Sequence, residues 1–172
     1  MYISGINDID SINGKGVGIA VYVSGCTHNC KGCFNPETWR FDNGELFTNE
    51  KMTYIIDLVT RPYIDYFSVL GGDPFEDANM PEVLYMIKQV RKVRPDIIIN
   101  IWSGWTYEEL LQKELAPEIL DLCNILVDGE FKIEQRNLKL EYRGSENQRV
   151  IDLVETRRLG RVVTICNECT KL

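Results

Sequence analysis

Val17-Gly18-Ile19-Ala20-Val21-Tyr22-Val23 runs directly into Ser24-Gly25-Cys26-Thr27-His28-Asn29-Cys30-Lys31-Gly32-Cys33. The first seven residues are rich in β-branched and aromatic side chains and read as a strand, which Ser24-Gly25 ends. The cysteines therefore begin at the carboxyl end of a strand. The same arrangement recurs along the chain. Tyr66 to Leu70 is a short apolar run that stops at Gly71-Gly72-Asp73-Pro74. Residues 97–102 (IIINIW) stop at Ser103-Gly104, and Ile125-Leu126-Val127 stops at Asp128-Gly129.

Between these runs the apolar period changes to that of a helix. Met52, Ile55, Ile56 and Val59 share one helical face, and Thr48 is placed to cap it. Pro81 suits the first turn of a helix carrying Val83, Leu84, Ile87 and Val90. Thr106 and Glu109 have the spacing of a capping box, and a further helix covers residues 117–122. A last strand is expected over about residues 149–154, with another candidate at 162–165. Strands alternating with helices predict parallel strands joined by right-handed crossovers. Four or five such units are too few for an eight-stranded barrel, so the expected α/β fold is an open or partial parallel β/α barrel. In such folds ligands sit at the carboxyl ends of the strands, where the four polar loops would converge.

At 172 residues, without repeats or a Pro/Ser-rich linker, the chain is expected to form one domain over residues 1–172. Its 44% hydrophobic and 26% charged residues describe an ordinary globular protein. A net charge of −7 argues against a nucleic-acid polymer as partner, while leaving room for a small nucleotide-like ligand held by backbone groups. No apolar run reaches membrane-spanning length and the first ten residues lack a signal-peptide pattern, so no membrane contact and a cytoplasmic location are expected. Thiols there stay reduced, which makes the six cysteines ligands, redox groups or core residues rather than disulfides. Cys123, among Ile119, Leu120, Leu122 and Ile125, reads as a core thiol. Cys166 and Cys169 are either a redox or zinc half-site or an inert terminal pair.

Cys26, Cys30 and Cys33 are a different matter. Three thiolates within eight residues can wrap one face of a small metal centre, whereas a closed site wants four protein ligands. A structural zinc site would need a fourth from His28 or the Cys166–Cys169 pair. A cubane 4Fe–4S cluster instead offers four irons to three cysteines and leaves one iron open for a substrate. A ferredoxin-like electron carrier would favour four cysteine ligands.

The C-x3-C-x2-C loop resembles that of the radical S-adenosylmethionine (SAM) enzymes. The longer stretch Gly25-Cys26-x-His28-x-Cys30-x-Gly32-Cys33-x-Asn35-x-x-Thr38-Trp39 is similar to one branch, the anaerobic ribonucleoside-triphosphate reductase activating proteins. The chain's short length, Gly71-Gly72-Asp73-Pro74 and Arg143-Gly144-Ser145-x-Asn147-Gln148-Arg149 also match. Gly18 departs from the pattern, since relatives often carry arginine there. The resemblance implies one 4Fe–4S cluster on Cys26, Cys30 and Cys33, with SAM chelated by its methionyl amino and carboxylate groups to the open iron. Reductive cleavage of SAM would give methionine and a 5′-deoxyadenosyl radical. That radical would take hydrogen from a backbone glycine of the reductase large subunit, making the protein a glycyl-radical activase. The implied partners are that subunit and a low-potential electron donor such as flavodoxin or ferredoxin. Another glycyl-radical enzyme is the alternative target.

Within that frame Gly71, Gly72, Asp73 and Pro74 are expected to bring bare backbone to the methionyl ammonium. Gly32 and Phe34 are candidates for adenine contact, although Phe34 also suits a core position. Asn35 is a donor behind the thiolates or a turn residue. Asn100 and Trp102, with Ser103, lie near the end of the third strand and are candidates for ribose or methionyl carboxylate. Arg143, Ser145, Asn147 and Arg149 are candidates for docking the reductase. His28 reads as a loop-ordering residue, because hydrogen abstraction by a radical needs no general base.

Overall fold

The computed structural model of the chain describes residues 1–165, so Cys166 and Cys169 lie outside the described residues. In chain order the elements are β1 (Tyr2–Asp10), β2 (Gly18–Val23), β3 (Glu45–Leu46), α1 (Asn49–Val59), β4 (Tyr66–Gly71), α2 (Met80–Val93) and β5 (Ile98–Trp102). There follow α3 (Tyr107–Leu110), α4 (Ala116–Leu122), β6 (Ile125–Asp128), β7 (Arg149–Asp152) and α5 (Leu153–Leu159). The helix starts have the chemistry read from the sequence. Thr48 caps α1 by accepting from the Lys51 N–H, Pro81 sits in the first turn of α2, and Thr106 with Glu109 closes a reciprocal capping box at α3.

The strands form one open seven-stranded sheet in the order β3-β1-β2-β4-β5-β6-β7. Only the central β2, β4, β5 and β6 are parallel; β1, β3 and β7 pair antiparallel. The expectation of an entirely parallel sheet is corrected at both edges, and the length and content of the connections explain why. Residues 11–17 join β1 to β2 and are too few for a crossover helix, so the two strands form a hairpin. Between β6 and β7 only a 3-10 turn at Ile133–Gln135 intervenes, and the chain returns antiparallel. Gly5, Asn7 and Asp8 broke the apolar signal of β1. The strand expected over 149–154 stops at Asp152, whose carboxylate caps α5 by accepting from the Glu155 N–H. Residues 162–165 add a single bridge, Thr164 to Ile151.

Strand parity divides the sheet into two faces. Ile19, Val21, Val23, Phe67, Val69, Ile99 and Ile101 are fully buried and belong to the core shared with α1, α2 and α4. Tyr66, Ser68, Leu70, Asn100 and Trp102 lie on the other face. Loops cover them there: Ser68 Oγ and Asn100 Nδ2 both donate to the Asn13 carbonyl, and Trp102 Nε1 donates to the Tyr142 carbonyl. Register brings Val23 level with Gly71, and Ser103 N–H bonds the Val127 carbonyl, so the loops after β2, β4, β5 and β6 leave the sheet at one edge. Among the described residues no helix is long and apolar enough to cross a membrane.

Neighbouring isoleucines of β5 test this division. Ile101→Ala, in the core, is expected to cost about 2–5 kcal/mol. Ile98→Ala, where the native side chain is 42% exposed, is expected to cost less than about 1 kcal/mol by urea unfolding.

Candidate metal centre

After β2 the chain turns outward at Ser24 and Gly25. Ser24 N–H donates to the Tyr2 carbonyl, and Gly25 and Cys26 N–H groups donate to the Thr38 and Trp39 carbonyls at 2.7 and 3.1 Å. Gly25 has φ of +101°, and a Cβ there would stand 2.3 Å from the Phe41 ring, so glycine is required. Thr27 is fixed by Glu76, whose Oε1 accepts from its N–H and hydroxyl at 2.6 and 2.7 Å. Cys33 N–H bonds the Cys30 carbonyl and closes the turn between the last two cysteines.

Asn35 N–H donates to the Cys33 sulfur at 3.4 Å, and backbone N–H groups also favour the other two thiolates, that of His28 for Cys26 and those of Phe131 and Cys30 itself for Cys30. All three thiols are free and partly buried. Burial, with the Asp73 and Glu76 carboxylates nearby, pushes the Cys26 thiol up to about 12, and burial also raises Cys30. The protein alone does not favour thiolates here; a bound metal would supply that driving force, and binding would release protons. Among the described residues no three His, Cys, Asp or Glu side chains converge on one point as a mononuclear ion requires. A cubane asks something else, because each thiolate meets its own iron. Three sulfurs with backbone N–H groups beside them fit such a cluster.

The facing wall is the turn after β4. Gly72 N–H donates to the Val23 carbonyl and Asp73 N–H to the Gly25 carbonyl, at 2.7 and 2.8 Å. A Cβ at Gly72 would lie 2.4 Å from the Gly25 oxygen, and one at Gly71, where φ is +109°, 2.7 Å from the Val23 oxygen. These glycines therefore have a structural duty, letting two loops touch backbone to backbone. The buried Asp73 carboxylate accepts from Phe75 N–H, Ser103 Oγ and Gly104 N–H. Pro74 is buried behind it and does not line the pocket.

Asn79, also buried, donates through Nδ2 to the Ser24 and Asp73 carbonyls. Asp73, Glu76 and Asn79 thus grip the cysteine loop at three-residue intervals. Sequence reasoning missed Glu76 and Asn79. Their signal was a run of polar residues at that interval leading into an amphipathic helix.

His28 orders the loop. Its side chain is only 7% exposed, with Nε2 3.2 Å from Asp73 Oδ2 and Nδ1 2.9 Å from Glu130 Oε1. The first is an ion contact rather than a well-directed hydrogen bond; the second is a hydrogen bond. The ring stands edge-on to Trp105, and a Cβ at Gly104 would come within 2.5 Å of it. Burial alone would lower the imidazole pKa, but the two carboxylates outweigh it and raise the value from 6.5 to about 9.

The remaining candidates divide. Asn35, Gly71, Gly72, Asp73 and Trp102 line the pocket with the three cysteines, joined by Phe131 and Gln148. Phe34 stands beside that pocket, packed on Phe131 and beneath Arg136, and Gly32 turns away against Ile133. Asn100 lies lower on the same sheet face and lines a separate cavity. Arg143, Ser145, Asn147 and Arg149 are engaged within the fold. Arg143 donates to the Glu146 and Gln148 carbonyls, and the buried Ser145 hydroxyl accepts from Lys132 N–H. Asn147 donates to the Glu130 carbonyl, and Arg149 is held by Asp128 and Glu108.

Two outcomes follow from this geometry. Gly72→Ala should separate the two loops and lower the melting temperature and iron retention together, while Gly5→Ala, with open space around it, should change neither. In the cluster-free chain the single histidine should titrate by NMR near pH 9. Because its folded pKa is raised, its stabilisation is complete below about 6.5 and disappears as pH rises through about 9. His28→Gln should abolish that component of the stability profile.

A family model described as a 4Fe-4S single cluster domain matches residues 12–151. The anaerobic ribonucleoside-triphosphate reductase-activating protein of Vibrio cholerae serotype O1 is 42% identical over 142 residues, covering 81% of this chain and 90% of that one. The protein of the same name from Salmonella typhimurium is 38% identical over 142 residues, covering 81% and 91%. That of Enterobacteria phage T4 is 33% identical over 141 residues, covering 82% and 87%. With a cluster-domain match across most of its length and relatives aligned nearly end to end, this chain belongs to the family of anaerobic ribonucleoside-triphosphate reductase-activating proteins.

Proposed function

We propose that this chain is an iron–sulfur radical SAM activase that generates the glycyl radical of the anaerobic ribonucleoside-triphosphate reductase. The observation that carries this reading is the set of three cysteine sulfurs, each favoured as thiolate by backbone N–H groups, facing a glycine turn across one pocket. Cys26, Cys30 and Cys33 would hold three irons of a 4Fe–4S cluster and leave the fourth to SAM. The sheet, open and parallel at its centre with the site at the strands' carboxyl ends, suits a partial barrel of the radical SAM type.

When bound, the cluster and SAM supply a one-electron cleavage of the sulfonium, yielding methionine and a 5′-deoxyadenosyl radical that takes hydrogen from the reductase glycine. The chain's own residues place and shield that chemistry. The carbonyls of Gly71 and Gly72, which line the pocket, would accept from the methionyl ammonium. The Asp73 side chain serves instead by locking the turn to Ser103 and Gly104. Trp102, Phe131 and Leu70 supply apolar walls that exclude water. The 143–149 segment contributes through Gln148, which lines the pocket and whose Oε1 accepts from Gly144 N–H. The electron would come from a low-potential carrier such as flavodoxin or ferredoxin, which needs only to approach the cluster loop.

Anaerobic reconstitution with iron and sulfide tests this reading. The protein should bind four irons, match the family's single-cluster description, and after reduction show an electron paramagnetic resonance signal that SAM shifts. It should then form 5′-deoxyadenosine and, with the reductase, a glycyl-radical doublet. Cys30→Ala should lose the SAM-responsive signal, and Glu76→Ala should release iron to a chelator roughly 10–100 times more readily. A signal indifferent to SAM, with no 5′-deoxyadenosine, would overturn the proposal.

A further inference from the structure

The pocket at the metal centre continues into a groove on the loop-covered face of the sheet. The groove has a volume of about 420 Å³ and shares Asn35, Leu70, Trp102, Phe131 and Gln148 with the cysteine pocket. Its outer rim is apolar. Ile12, in the turn between β1 and β2, is 77% exposed, and Leu138, in the segment between β6 and β7, is 74% exposed. Among the described residues these are the two most exposed large hydrophobic side chains. Phe34, next to Cys33 and half-exposed, lines the groove with them.

A single exposed leucine or isoleucine needs no explanation, but several gathered on one concave rim mark an interaction surface. Arg143 also lines the groove, yet its guanidinium is held by the Glu146 and Gln148 carbonyls, so the surface left for a partner is apolar rather than basic. Asn35 lines both the groove and the pocket. Its side chain makes no capping bond to the 3-10 turn that follows it, which leaves the amide to a peptide backbone passing from one space to the other.

We propose that this groove docks the reductase through its glycine-bearing segment, with apolar side chains on either side of that glycine resting on Ile12, Phe34 and Leu138. The inference rests on the activase reading, in which a backbone glycine must yield hydrogen inside the metal-centre pocket. The hydrogen atom passes from the glycine Cα to the 5′ carbon, leaving 5′-deoxyadenosine and the glycyl radical. Glycine has no side chain to extend, so its backbone has to enter, and the residues before and after it stay on the rim. Continuity of groove and pocket supplies the path, and the rim selects apolar flanks. The docking surface therefore differs from Arg143, Ser145, Asn147 and Arg149, whose side chains serve the fold.

The double variant Ile12→Asp/Leu138→Asp tests this on cluster-loaded protein with the intact reductase. Anaerobic calorimetry reads binding, and 5′-deoxyadenosine formed with dithionite in the absence of reductase reads SAM cleavage. We expect the complex to weaken roughly tenfold or more, with 5′-deoxyadenosine formation unchanged. Ile12→Val/Leu138→Met keeps the rim apolar and should bind as wild type. Leu159→Asp, at an exposed position on α5, should also bind as wild type. Wild-type affinity in the double aspartate variant, or an equal loss in the Leu159 variant, would overturn the assignment. So would lost SAM cleavage without reductase, or sedimentation showing that the substitutions break up a dimer of this chain. If the wild-type protein forms no 5′-deoxyadenosine, the activase reading falls, while the binding comparison still decides the groove.

Discussion

Two backbone hydrogen bonds, Gly72 to Val23 and Asp73 to Gly25, lay the turn after β4 directly on the turn after β2. Nothing stands between the two turns, because a Cβ at Gly72 would enter the Gly25 carbonyl. The rest of the site depends on that contact. It sets where Cys26 emerges, brings Asp73 under the loop after β5, and lets Glu76 and Asn79 reach back to Thr27 and Ser24. Parallel pairing in register makes the contact possible, since Val23 and Gly71 end their strands at the same level.

The contact also gathers charge. Burial, and after it the Asp73 and Glu76 carboxylates, raise Cys26, while burial and then Glu130 raise Cys30, so the surroundings oppose thiolate formation. His28 lies between Asp73 and Glu130 and, when protonated, sets one positive charge between two of these carboxylates. The loop is held by contacts with the chain's own backbone and side chains, although its sulfurs are not ionised by their surroundings. Backbone N–H groups aimed at the sulfurs fit a centre that brings its own positive charge.

How much of this could be read beforehand varies by residue. The helix caps at Thr48 and Thr106 and the glycine stops after β2 and β4 were legible, because each is a local choice with a local physical cause. The edge strands were not. β1 carries Gly5, Asn7 and Asp8 and pairs mainly through backbone, and the direction of β7 was set by a connection without a crossover helix. Asn100 shows the limit most clearly. Its place near the end of a strand suggested contact with the upper site, but it stands two residues below Trp102 on the same face, where the Asn13 carbonyl holds its Nδ2 and it lines a lower cavity.

The sequence by itself determined the three-cysteine spacing, the strand-then-loop order that places it, and the family resemblance, since all of these are written in neighbouring residues. Only the tertiary structure decided what Gly72, Asp73, His28, Glu76 and Arg149 do. Their partners lie 20 or more residues away in most cases, as with Arg149 and Asp128 or Thr27 and Glu76. A side chain's contacts across such separations depend on strand register and loop direction, which no local pattern encodes.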